Sequence, residues 1–137
     1  MADKDYYGRD PLHYAARDNN VDEARHLLAE GSDPSAPDKA GFTPLHFAAQ
    51  QYSVELARLL LDNGADVDAE NKFGNTPLFT AVFESKGRGE IIALLLEHGA
   101  DPRKPSKSGQ TPIGLAHLIG NYDVAQFFVG LDEAAGE

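Results

Sequence analysis

Apolar and polar residues alternate along the chain in short blocks that return at a fixed interval. Each block opens with a polar acceptor, a proline and a large apolar residue: Asp10-Pro11-Leu12, Thr43-Pro44-Leu45, Thr76-Pro77-Leu78 and Thr111-Pro112-Ile113. A side-chain oxygen immediately before proline reads as a helix N-cap with Pro at the first helical position, where the missing N–H has no helical partner to lose. A break follows about eight residues later, then a second apolar-periodic stretch, clearest from Val54 to Leu61. That stretch closes at Gly31, Gly64 or Gly99, where a left-handed C-cap is expected. The polar segment that leads to the next block carries Gly41, Gly74 or Gly109 near its end, suited to a turn with positive φ. The unit predicted is helix, turn, helix and an extended hairpin-like loop. Neither helix could bury its apolar face alone, so the copies must stack.

The interval is nearly constant. Gly8, Gly41, Gly74 and Gly109 stand 33, 33 and 35 residues apart. A second signature recurs in Leu59-Leu60-Leu61-Asp62-Asn63-Gly64-Ala65-Asp66 and Leu94-Leu95-Leu96-Glu97-His98-Gly99-Ala100-Asp101, with a weaker first copy ending Gly31-Ser32-Asp33. Four copies, at approximately 5–37, 38–70, 71–105 and 106–131, leave no room for a second domain in residues 1–137. The 33-residue period with Thr-Pro-Leu-His-x-Ala at 43–48 and Gly-Ala-Asp at 64–66 and 99–101 resembles the ankyrin repeat. The resemblance implies an all-α solenoid of four helix-turn-helix units joined by hairpin-like loops. It also implies a non-enzymatic protein-protein interaction module that binds along a concave surface of loop tips and first helices.

The end copies depart from the middle ones in ways that stacking explains. Glu23 and His26 stand where later copies hold Leu56 and Leu59, Ile91 and Leu94, or Val124 and Phe127. Three apart, they share a helix face that has no preceding repeat to cover. His117 replaces the small residues of Ala16, Ala49 and Val82 at the other end. Both ends therefore read as capped, and a complete four-repeat protein is expected. The third copy is two residues longer, at 85–89, a basic loop that reads either as a mobile contact element or as neutral surface variation. In the fourth, Gly114 replaces the motif histidine.

Composition narrows the function. Twelve Lys and Arg against 22 Asp and Glu give a formal charge of -10, which disfavours nucleic acid and anionic membrane as partners. No apolar run approaches the ~20 residues of a membrane span, and residues 1–7 hold three charges and no apolar core of a secretory signal. A soluble cytoplasmic protein, monomeric by itself, is expected. Cysteine is absent, which removes disulfides, thiolate metal sites and cysteine catalysis. No two of the five histidines have the i, i+4 spacing of a helical zinc site, and no serine lies in Gly-x-Ser-x-Gly. By the resemblance, the motif histidine braces its turn by hydrogen bonds. The acidic run Asp62, Asp66, Asp68 and Glu70 lacks the ligand spacing of a calcium loop. No catalysis, metal or cofactor is expected.

The positions that the resemblance implies for partner contact are the two residues before each repeat glycine, the one after it and the two after the Ala-Ala pair. They are Tyr6, Tyr7, Arg9, Arg17 and Asp18, then Lys39, Ala40, Phe42, Gln50 and Gln51. The third copy supplies Lys72, Phe73, Asn75, Phe83 and Glu84, and the fourth Lys107, Ser108, Gln110, Leu118 and Ile119. The expected contact set leaves out Asp18, Ala40, Glu84, Ser108, Leu118 and Ile119. Tyr7, Phe42, Phe73 and Phe83 are large aromatics at places that should face solvent, and interface hot spots favour such residues. Lys39, Lys72 and Lys107 repeat at one column, so basic tips stand on an acidic body. Tyr14 and Phe47, which follow the motif histidine, are expected to be half-buried between repeats.

These features point to a stoichiometric binder of a partner protein, with a basic partner favoured by the acidic total. An inhibitor fits, such as an immunity protein on a toxin. An assembly or stability factor for a partner enzyme is the alternative.

Overall fold

The computed structural model describes residues 4–120 and 122–130. Within them the order is α1 (Pro11–Arg17), α2 (Val21–Ala29), α3 (Pro44–Gln50), α4 (Val54–Asp62), α5 (Pro77–Glu84), α6 (Glu90–Glu97) and α7 (Pro112–Leu118). A 3₁₀ helix, Val124–Phe128, follows, and the described residues contain no strand.

Each first helix starts where the Thr-Pro pattern puts it. The Asp10 side chain accepts from the backbone N–H of Leu12 and His13, and Thr43, Thr76 and Thr111 accept from His46, Phe79 and Gly114. The cap satisfies N–H groups that have no partner inside the helix. The second helices end as expected: Ala65 N–H returns to the Leu60 carbonyl and Gly64 N–H to Leu61, both at 3.0 Å.

Helices of seven to nine residues are too short to be stable alone in water, so packing must hold them. The first helices form one row, α1 on α3, α3 on α5 and α5 on α7. Behind it α2 packs on α4 and α4 on α6. Small buried residues (Ala15, Ala16, Ala48, Ala49, Ala81 and Ala116) let the front row approach closely. Leu12, Leu45 and Leu78 repeat as fully buried side chains between the rows, joined by Leu56, Leu60, Ile91 and Leu95. Each such side chain contributes roughly 1.5–3 kcal/mol by leaving water. At the first unit's outer helix, Ala24 is buried while Glu23 and His26 stay in solvent, as an uncovered end requires.

Two expectations need correction. Among the described residues the last unit has no second α-helix, only the five-residue 3₁₀ turn. Asp123 makes no side-chain cap bond there, and Val124, Phe127 and Phe128 are poor helix formers. The segment is held by burial of Val124 and Phe128. The insertion at 85–89 is also not a free basic loop. Ser85 is buried, and Arg88 donates to the carbonyls of Ser85 (2.8 Å) and Glu84 (3.2 Å). Its guanidinium lies 3.9 Å over the Tyr52 ring of the preceding unit. Gly89 faces the last unit, where an added Cβ would stand 2.2 Å from the Phe127 ring. The extra length is packed between the second and fourth units.

Candidate partner-binding site

The hairpin-like loops form fingers, each organised by one side-chain acceptor. Asp38 Oδ1 accepts the N–H of Ala40 and of Phe42, both at 2.9 Å. Asn71 Oδ1 does the same for Phe73 (2.9 Å) and Asn75 (3.1 Å), and Asp5 Oδ1 for Tyr7 (2.9 Å) and Arg9 (3.0 Å). In the fourth finger Ser106 holds this column, with its hydroxyl 2.9 Å from that of Ser108. This column escaped the reading of the sequence. Its signal was present, a short polar residue three positions before every finger glycine.

One backbone bond ties each finger to the one before. The N–H groups of Lys39, Lys72 and Lys107 donate to the carbonyls of Tyr7 (2.8 Å), Ala40 (2.8 Å) and Phe73 (2.9 Å). The lysine column is therefore held in line by its backbone, while its side chains remain exposed. The close approach explains the repeat glycine: Gly41 has φ of 82°, and a Cβ there would stand 2.8 Å from Asn71 Cα.

The motif histidines join finger to helix. His46 Nδ1 accepts the N–H of Thr43 at 3.0 Å, so Nε2 carries the proton and donates to the Asn75 carbonyl of the next finger at 2.9 Å. His13 repeats the arrangement, with Nδ1 3.1 Å from Asp10 N and Nε2 3.2 Å from the Phe42 carbonyl. Burial holds the His46 imidazole below its ordinary pKa of 6.5, against the opposing pull of the Asn75 carbonyl. In the third unit Phe79 occupies this column and bears no such donor. In the fourth, where Gly114 occupies it, Gln110 Oε1 accepts the Thr111 N–H at 3.0 Å and replaces the missing imidazole.

The expected contact residues divide into three groups. Tyr6, Tyr7, Phe73 and Phe83 are exposed, by 81%, 55%, 52% and 67%, and Arg17, Lys39, Gln50, Gln51, Lys72 and Lys107 are exposed with them. Lys39 Nζ lies 4.8 Å over the Tyr6 ring and Lys72 Nζ 5.1 Å over Phe73, while Arg17 stacks on Tyr14 and pairs with Asp18. Phe42 departs from expectation. It is half-buried, with its ring 5.6 Å from His46 and 5.9 Å from Phe47, because the finger folds it back onto α3. Phe47 is buried rather than half-buried, and Tyr14 is half-buried as expected. Arg9, Asn75 and Gln110 are also half-buried and serve the fold. Arg9 pairs with buried Asp38 at 3.2 Å, and its guanidinium lies 5.1 Å over Phe47.

Two residues outside the expected set complete the surface. Phe79 and Leu118, the latter 70% exposed, lie along a groove that runs across the third and fourth units. The groove begins in a cleft of about 480 Å³ between Phe73, Phe79, Lys72 and Lys107, passes Phe83 and reaches Leu118 and Tyr122. Leu118 was legible as the position matching Phe83. Phe79 was legible as an apolar residue in the histidine column.

Charge is divided between the faces. Exposed acids concentrate on the second helices and the loops after them: Asp22, Glu23, Glu30, Glu55, Asp62, Glu90 and Glu97, with Asp33, Asp66 and Asp101. Among exposed side chains the fingers and first helices carry Arg17, Lys39, Lys72 and Lys107 against Asp5 and Asp18, while half-buried Arg9 is paired with buried Asp38. Among the described residues no group of three or more His, Asp or Glu is placed to hold a metal ion, and no helix is long and apolar enough to cross a membrane.

A protein-family model for ankyrin repeats (3 copies) matches residues 1–71 and again residues 64–135. No curated protein matches the chain. Stacked helix pairs, capped Thr-Pro turns and histidine-braced fingers agree with that model, and the chain belongs to the ankyrin-repeat family, generally non-enzymatic modules of protein-protein interaction.

Proposed function

We propose that the chain is a stoichiometric binding protein that holds a partner against its fingers and first helices and inhibits it, as an immunity protein would a toxin. The observation that carries this reading is the apolar strip of Phe73, Phe79, Phe83 and Leu118. Phe73, Phe83 and Leu118 are exposed, Phe79 is half-buried, and the four line adjoining clefts on one face. Exposed aromatic residues grouped in this way anchor interfaces. The total charge of -10 would speed the approach of a basic partner, while the contact itself falls on the face where basic residues predominate.

Affinity capture from the native cell, with wild type beside a Phe73→Ala, Phe83→Ala variant, tests the face. A partner retained by wild type and lost by the folded variant supports it. Retention by both would move the interface elsewhere. Titrating the partner's activity then separates roles: a fall that ends at one equivalent supports inhibition, whereas unchanged or raised activity assigns an assembly or stability factor.

A further inference from the structure

We infer that the cleft between the third and fourth fingers receives a partner segment in which an aromatic or large aliphatic side chain sits next to a carboxylate. The inference rests on the binding role just proposed and specifies what that face selects.

The apolar half of the cleft arises in the column of His13, His46, Phe79 and Gly114. Where histidine stands, its imidazole spans to the next finger, and the matching cleft between the first and second fingers holds only about 160 Å³. Between the third and fourth fingers that bridge is missing. Phe79 cannot donate across it. What remains is a cleft of about 480 Å³, bounded by Phe73 and Phe79 and continuous past Asn75 with the groove to Phe83. A volume of that size accommodates a large apolar side chain with backbone to either side.

The charged half is its rim. Lys72 and Lys107 both line the cleft, and no Asp or Glu lines it or its continuation toward Phe83. Four cations elsewhere are paired, Arg9 with Asp38, Arg17 with Asp18, Arg25 with Asp22 and Lys104 with Glu70, so their charge is partly offset. Among the described residues neither Lys72 nor Lys107 has a carboxylate within 4.0 Å. The excess acid lies on the second helices and their loops. Screening over about 8 Å at physiological salt leaves the rim lysines to set the local preference. An apolar side chain in the cleft would bring neighbouring carboxylates of its own segment to the two lysines, one on each finger.

The test is selection of random dodecapeptides on phage against the full chain and against a Lys72→Glu, Lys107→Glu variant. Both positions are exposed, and circular dichroism checks that the variant is folded. Wild type should enrich peptides pairing Phe, Trp or Leu with Asp or Glu. These should bind the variant about tenfold more weakly, the scale of two exposed ion pairs. The variant should instead enrich Lys or Arg beside the apolar residue. The selected peptide, titrated into ¹⁵N-labelled protein, should shift the amides of Phe73, Phe79 and Lys107. Enriched peptides without acids that still shift those amides would overturn the inference and leave the binding face standing. Peptides that shift only other amides, or no enrichment at all, would sink both. A dimer in sedimentation that dissociates in the Lys72→Glu, Lys107→Glu variant would assign the cleft to a second copy of this chain and overturn the choice of occupant.

Discussion

His46 Nε2 donates to the carbonyl of Asn75 at 2.9 Å, a bond that fastens the first helix of one repeat to the finger of the next. The histidine is fully buried, and both ring nitrogens are engaged. Replacing it with phenylalanine copies the third repeat and leaves the Asn75 carbonyl and the Thr43 N–H without this partner. We expect a loss of about 1–3 kcal/mol, read as a lower urea midpoint. An unchanged midpoint would show that the bridge adds nothing to stacking.

The same histidine makes stability depend on pH. Burial depresses its folded-state pKa below 6.5, so the unfolded chain binds the proton more readily. Its contribution is whole above pH 6.5 and declines as pH falls from there through the depressed folded value. The difference in unfolding free energy between wild type and His46→Phe should therefore shrink from pH 8 to pH 5. A difference that stayed constant would mean His46 titrates alike in both states.

Gly89→Ala should strain the end of the molecule, since the new Cβ would stand 2.2 Å from the Phe127 ring. An expected cost of about 1–3 kcal/mol should be partly relieved in a Gly89→Ala, Phe127→Ala pair. Additive losses would place the strain elsewhere. Hydrogen exchange should show the loss first around α7 and the 3₁₀ helix.

Tyr52 reaches across to the N-terminus of α6, where its hydroxyl donates to Glu90 at 3.1 Å and accepts the Ile91 N–H at 3.4 Å. Gly89 offers that helix no side-chain cap, so Tyr52 supplies one from the preceding repeat. Tyr52→Phe keeps the ring beneath Arg88 and removes the hydroxyl. A loss of about 0.5–1.5 kcal/mol is expected, with faster amide exchange at Ile91 as the local readout.

Phe42 and Phe83 should separate stability from binding. Phe42→Ala removes a ring packed on His46 and Phe47 and should lower the melting temperature. Phe83→Ala removes an exposed ring and should leave stability within about 0.5 kcal/mol while weakening partner binding. The reverse pattern would exchange their roles.

The sequence by itself determined the repeat, and with it most of the fold. Thr-Pro and the closing glycines act through local backbone geometry, so Asp10, Thr43, Thr76 and Thr111 cap as their spacing implies. A period repeated four times also requires stacking, because no unit can bury its own apolar face. Tertiary structure decided which side chains remain available. Phe42 and Phe73 both flank the glycine of their finger, one after it and one before it, yet one lies on its own helix and the other stands in solvent. Nor could spacing tell that residues 85–89 would pack between Tyr52 and Phe127, or that the cleft beside Phe79, where the imidazole is missing, would be the wider one. Local signals set where a helix begins; exposure depends on neighbours a repeat away in the chain.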